Sequence, residues 1–140
     1  MKRHMRTKIL VESGPALAAQ LADEVIAGYS VVEMVAPRQG LTMVKMRETA
    51  KKSLFFIGEA LITEAMVEID GHVGMGMIVG MDEERARHLA IIDAAYQAEL
   101  PETKQWTNWL LAAQDELNAK QAKEHAQLMK TKVSFDTMDV

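Results

Sequence analysis

The apolar residues of this chain follow two periodicities, a helical one towards both ends and a strand-like one in the middle. Between residues 15 and 27, Leu17, Leu21 and Val25 recur at four-residue steps, which predicts an amphipathic helix. A proline opens this stretch and Gly28 follows it, as is common at the two ends of a helix. The residues before it are predicted to add a helical turn or two.

The middle of the chain is predicted to contain several strands. Residues 30–36 are rich in valine, and residues 41–47 place apolar side chains on both faces of a second strand. Pro37 and Gly40 between them have the chemistry of a turn, because proline presets one backbone angle and glycine tolerates a positive φ. The run at residues 54–57 is continuously apolar, which is typical of a buried strand.

A hairpin signal fixes the pairing of the last two strands. Asp70 and Gly71 form a dipeptide that is favoured in two-residue hairpin turns, and they lie between residues 61–69 and 72–79. We therefore predict an α+β fold with a four-stranded, mostly antiparallel sheet packed with helices.

Two further helices are predicted after the sheet. Asp82 can cap a helix that extends to about Gln97 and is apolar on all sides. Because the sheet can cover one side of it only, we expect the other side to meet a partner or a later helix. Pro101 opens a second helix that reaches about Lys130, either continuous or broken midway, and residues 133–138 are predicted to be an extended tail.

Length and element order together predict one domain. The 140 residues suffice for a single domain with its own core. We divide residues 1–140 into four parts: N-terminal helices at 1–29, an antiparallel sheet at 30–80, helices at 82–131 and an extended tail at 132–140.

Charge and composition exclude several classes of function. Lys and Arg total 16 against 20 Asp and Glu, and this net charge of −4 argues against a nucleic-acid binder. The chain has no cysteine, so it has no disulfide and no thiolate for zinc or an iron–sulfur cluster. No apolar run approaches the ~20 residues of a membrane span. We expect a cytoplasmic protein that binds no membrane.

Methionine is over-used, with 11 residues, while aromatic residues make up 5% of the chain. Methionine fills irregular gaps in cores and also suits adaptable contact surfaces. Core packing is the favoured interpretation, and partner contact is the alternative.

Three polar residues in apolar surroundings are candidates for catalysis. Asp93 lies in an apolar helix, where a buried carboxylate must find a partner. Glu59 follows Gly58 in a predicted strand, and His72 follows the hairpin turn. Each has a structural interpretation that competes with a catalytic one, namely ion pairing or protection of a sheet edge.

Phosphate and metal binding are the other chemistries to consider. Arg47 and Lys51 belong to a basic cluster that could attract phosphate, although a solvated loop with charges that protect a sheet edge is the favoured interpretation. The four histidines lack the spacing of a zinc site, so we expect no metal and no cofactor bound by this chain.

Four stretches of the sequence resemble the phosphonate metabolism protein G family, the G subunit of the bacterial carbon–phosphorus lyase system. The similarity covers nearly the whole chain in size and order of elements, and it is weakest between Ala98 and Thr131. Its clearest parts are Phe56–Ala65, Gly71–Gly74 with Gly80–Asp82, Ala86–Ala94 and Lys132–Met138.

The resemblance implies a role in a larger assembly. It implies a core complex with H, I and J subunits, two copies of each, and an ATPase-like L partner. That complex displaces adenine from ATP with an alkylphosphonate such as methylphosphonate, giving a ribose 1-phosphonate 5-triphosphate. ATP is then a substrate of the complex, a transferase in which this chain is inactive alone. Two alternatives remain open: a non-catalytic scaffold in the same complex, and a stand-alone domain that binds a small ligand.

Overall fold

The computed structural model describes the backbone of residues 1–47 and 53–138, and the side chains of residues 1–46 and 53–131. Two short helices come first, three strands follow, and two helices end the described chain. The elements are α1 (Arg3–Glu12), α2 (Pro15–Gly28), β1 (Val32–Arg47), β2 (Leu54–Ile69), β3 (His72–Val79), α3 (Glu83–Gln97) and α4 (Glu102–Met138).

The strands form a three-stranded antiparallel sheet in the order β1-β2-β3, so the prediction of four strands is wrong. Pro37 and Gly40 do not reverse the chain. They lie within one continuous strand, β1, which runs along β2 with a shift of register between Val35 and Arg38. Proline is tolerated there because β1 is an edge strand, and an irregularity at an edge can omit a ladder hydrogen bond.

The hairpin between β2 and β3 is confirmed. Ile69 pairs with His72, and the turn residues Asp70 and Gly71 have φ of 50° and 79°. Positive φ at both central positions is the geometry that the Asp-Gly dipeptide favours.

Two glycines of β3 allow α3 to lie directly on the sheet. A Cβ at Gly74 would stand 2.1 Å from the backbone nitrogen of Ala94, and one at Gly76 would stand 2.1 Å from the carbonyl oxygen of Ala86. No side chain fits in that space. The glycines therefore set the distance between the helix and the sheet.

The far side of α3 is covered by the chain's own helices, so it is not available to a partner. Residues 86 and 88–95 are all buried. The sheet packs on one side of α3, while α2 and α1 contact the other. The side that we expected to meet a partner or a later helix is thus closed mainly by the earlier helices.

The last helix is continuous and only partly packed. Trp106 and Leu110 of α4 are fully buried, and the indole nitrogen of Trp106 donates a hydrogen bond to Glu24 at 2.9 Å. Residues 118–131 are exposed throughout. The backbone stays helical to Met138, so the extended tail predicted for residues 133–138 is wrong. A strand there would need a neighbour to pair with, whereas a helix satisfies its own backbone groups.

Candidate functional site

Asp93 lies at the centre of a buried polar cluster that joins α1, β3 and α3. Its carboxylate accepts hydrogen bonds from Arg6 and from the backbone N–H of Met75, each at 3.0 Å, and it is paired with Arg3 at 3.0 Å. The side chains of Arg6 and Asp93 are 9% and 8% exposed. The expectation that this carboxylate finds a partner is confirmed.

Arg6 is held on its other side by an aromatic ring. Its guanidinium carbon lies 4.0 Å from the ring centroid of Tyr96, a distance typical of a cation–π contact. Burial lowers the pKa of Arg6 from its ordinary value, and Asp93 opposes that shift. Burial likewise raises the pKa of Tyr96, whose hydroxyl lies 3.0 Å from that of Thr107.

The cluster closes the outer edge of the sheet at the middle of β3. Asp93 accepts from the Met75 N–H, and Arg3 approaches the Met75 carbonyl at 3.5 Å. Side chains thus satisfy backbone groups that an edge strand would otherwise present to another strand. With both of its oxygens engaged in these contacts, Asp93 holds α1, β3 and α3 together.

An open groove of about 560 Å³ lies beside this cluster, between α1 and β3. Its apolar surface is bordered by the cationic side chains of α1. The lining residues are Arg3, His4, Thr7, Lys8, Val11, Met75, Gly76, Met77 and Leu89. Such a groove could hold an anion with an apolar body. None of the three catalytic candidates, Glu59, His72 and Asp93, is among the residues that line it.

The three catalytic candidates do not come together. Glu59 and His72 are both exposed. His72 pairs with Ile69 at one end of β2, whereas Glu59 lies ten residues away along the same strand, about 33 Å at 3.3 Å per residue. Asp93 is buried in its ion pairs. These three residues therefore do not form a general acid and base within reach of one substrate.

The predicted phosphate site remains a prediction. The backbone of Arg47 ends β1, but its side chain and the whole of Lys51 lie outside the described residues. Among the residues whose side chains are described, 1–46 and 53–131, no three His, Asp or Glu side chains are grouped as metal ligands. The helices of the described backbone include none that is long and apolar enough to cross a membrane.

The most unusual surface is a two-stranded ribbon, which we define as residues 41–47 of β1 and 54–61 of β2. β3 pairs with β2 only from Ile62 onwards, so the ribbon extends past the end of the third strand. Its large apolar side chains are exposed, except that of Val44, which is half-buried. The exposed ones are Leu41, Met43, Met46, Leu54, Phe55, Phe56, Ile57 and Leu61, with exposed fractions between 39% and 68%.

Sequence reasoning missed this surface because it took the apolar run at residues 54–57 for a buried strand. A signal was present: residues 41–46 are apolar on both faces, and the Asp-Gly hairpin limits β3 to the eight residues that end at Val79. A third strand of eight residues cannot accompany a second of sixteen along its whole length. Half of β2 must therefore lack a neighbour on one side.

The methionines belong to the surface and not to the core. Ten of the eleven have described side chains, of which eight are exposed and two, Met5 and Met66, are half-buried. The interpretation of the methionines as core packing is wrong. Methionine is a common residue of adaptable contact surfaces, and here it lies along the ribbon and the exposed side of β3.

Comparison with known proteins identifies the family of this chain, which the geometry alone does not. The model of the family described as phosphonate metabolism protein PhnG matches residues 1–139. The chain belongs to the PhnG family. It is also 38% identical over 69 residues to the alpha-D-ribose 1-methylphosphonate 5-triphosphate synthase subunit PhnG of Rhizobium meliloti (strain 1021). That alignment covers 49% of this chain and 44% of the relative, so it spans less than half of either protein.

Membership of the PhnG family agrees with the surface just described. The relative is named as a subunit, and a subunit is expected to expose apolar surface that its assembly covers. The ribbon and the exposed methionines are such surface.

Proposed function

We propose that this chain is a subunit of a cytoplasmic synthase that joins an alkylphosphonate to the ribose of ATP and displaces adenine. The product would be a ribose 1-phosphonate 5-triphosphate. Family membership and the name of the R. meliloti relative support the proposal. ATP and the phosphonate bind the complex, in which this chain acts with H, I, J and L subunits and holds no cofactor of its own.

One observation supports the proposal that another subunit of that complex supplies the main catalytic groups. The candidate residues Glu59 and His72 lie about 33 Å apart along the direction of β2, and Asp93 is occupied by two arginines. Displacement of adenine needs an acid at the leaving base and a negative group near the cationic sugar. Among the described residues, Glu59, His72 and Asp93 form no such pair, so the chain supports the reaction by completing or positioning a site on another subunit.

A scaffold that touches no substrate is the second candidate, and the same separation favours it. The two roles differ in what Glu59→Gln and His72→Ala would do. Both side chains are exposed, so neither change is expected to disturb the fold. If the chain borders the active site, at least one variant lowers the rate of adenine release in the reconstituted complex.

The experiment measures adenine release from ATP and methylphosphonate by complexes built with each variant, after assembly has been verified by size-exclusion chromatography. Lys104→Gln on the exposed side of α4 serves as the surface control. Normal rates from every assembled variant would establish the scaffold. Failure of the wild-type chain to elute with the other subunits would refute both roles and leave the stand-alone domain.

A further inference from the structure

The ribbon carries as much apolar surface as one side of a stable protein interface. Its eight large apolar side chains are each 39–68% exposed. At about 200 Å² for a fully exposed large side chain, they leave roughly 850 Å² open. One partner in an interface of standard size contributes about 800 Å². A two-stranded ribbon is also marginally stable on its own, so contact with another chain would stabilise it.

Both faces of the ribbon are apolar, which restricts how it can be covered. Leu41 pairs with Leu61, and Lys45 pairs with Phe56 on the same face, where the Lys45 ammonium lies 5.1 Å from the Phe56 ring centroid. Met46 pairs with Phe55, and strand alternation directs this pair to the opposite face. A flat partner would leave one of these faces in water.

A second copy of this chain does not offer a suitable receptacle. The ribbon is about 25 Å long at 3.3 Å per residue. The grooves of the described surface include one of about 560 Å³ between α1 and β3, and one of about 580 Å³ beside α2 and α4. Both have the size of a small-molecule site and cannot enclose two strands.

Charge distinguishes the ribbon from the rest of the chain. The two segments of the ribbon contain two basic residues, Lys45 and Arg47, and one acidic residue, Glu59, an excess of one positive charge. The whole chain has a net charge of −4, so the remainder has −5. A surface that receives this segment is complementary if it is apolar with an acidic border.

We infer that the ribbon inserts into an apolar, acid-bordered cleft of a different subunit, which contacts both of its faces. This inference rests on the proposed function, because it takes the receiving protein from the same complex. The cleft encloses the two strands and places its acidic side chains near Lys45.

The test measures the affinity of the full chain for the purified I subunit, first alone and then together with the H and J subunits. One double variant, Met43→Ser with Phe56→Ser, changes the first face, and another, Met46→Ser with Phe55→Ser, changes the second. Each is expected to weaken binding on the order of tenfold or more, since both faces are buried in the cleft. Leu128→Ser with Met129→Ser, equally exposed on α4, is the matched control and should leave the affinity unchanged.

Charge reversal tests the acidic border. Lys45→Glu should weaken binding on the order of tenfold and reduce its dependence on salt, whereas Lys120→Glu on α4 should do neither. Circular dichroism and thermal unfolding of every variant verify that the body is intact, which is expected because the substituted residues are exposed.

The outcomes separate the inference from the function on which it rests. If the wild-type chain binds none of the subunits, the proposed function fails. If it binds them and one or both double variants bind equally well, insertion is refuted and the function stands. If sedimentation equilibrium shows a wild-type dimer that the ribbon variants convert to monomer, the ribbon is a contact between copies and the inference is overturned.

Discussion

β1 and β2 run through two environments, and the comparison shows what determines burial in this molecule. From Ile62 to Ile69, β2 has β3 on one side and α3 on one face, and its residues alternate between buried and half-buried. From Leu54 to Leu61 the same strand is at least as apolar in sequence, yet its large side chains are exposed. Residue type is similar in the two halves. The difference lies in whether a third strand and a helix are present, so the ribbon has the composition of a core without the elements that cover one.

The largest contrast is expected between two ion pairs, one in the body and one at the base of the ribbon. Asp93→Asn leaves the buried Arg6 without a carboxylate and should lower the free energy of unfolding by about 4 kcal/mol. Glu64→Gln breaks the exposed pair with Arg38, at 2.8 Å, and should cost less than about 1 kcal/mol after solvent screening. Urea denaturation measures both. Similar losses would mean that the Asp93 cluster is hydrated and contributes little.

Two leucines provide a second contrast. Leu110 is 0% exposed and Leu41 is 68% exposed. Leu110→Ala should cost about 3 kcal/mol because it leaves a cavity between α4 and the body, while Leu41→Ala should change stability by less than about 0.5 kcal/mol. Thermal unfolding of the isolated chain compares them. A large loss for Leu41→Ala would show that the ribbon is packed in the free chain.

Two glycines give a smaller contrast of the same kind. Gly76→Ala places a methyl group 2.1 Å from the Ala86 carbonyl oxygen, so α3 must move away from the sheet. We expect a loss of about 2 to 3 kcal/mol. At Gly40 a Cβ meets nothing within 4 Å, and alanine should be neutral or slightly stabilising. Equal effects in denaturant titrations would contradict the close contact between β3 and α3.

The smallest effect concerns alkaline pH. Burial raises the pKa of Tyr96 above its ordinary value of 10.0, so the folded state holds the phenol proton more tightly than the unfolded state does. The stability from this group is complete below pH 10 and falls as the pH rises towards the folded pKa. Tyr96→Phe should therefore flatten the decline of stability above pH 10. Denaturation midpoints at pH 9 and 11 for wild type and variant measure this, and parallel curves would refute it.

Local signals in the sequence predicted the parts of the fold that depend on neighbours in the chain. The Asp-Gly hairpin and the N-cap at Asp82 are confirmed, the latter by a hydrogen bond from the Arg85 N–H at 3.1 Å. The turn at Pro37 was wrong because pairing with β2 overrides local turn propensity.

Features that depend on distant residues were harder to predict. The apolar residues on all sides of α3 indicated that the helix is buried, but they did not indicate which elements cover it. Asp93 was identified as a carboxylate in need of a partner, but nothing in the sequence specified that Arg3 and Arg6 would supply it. A local sequence pattern does not indicate which residues will be in contact when they lie almost ninety positions apart in the chain.

The separation of Arg6 and Asp93 along the chain determines when α1 can dock during synthesis on the ribosome. Arg6 and Asp93 are 87 positions apart. At about 5–20 residues per second, roughly 4 to 17 seconds of synthesis separate Arg6 from Asp93. During this interval α1 lies in solvent, so the charge of Arg6 is hydrated and needs no buried partner. Its docking is consequently a late event, and protection of α1 from protease in nascent chains would report that α3 has emerged.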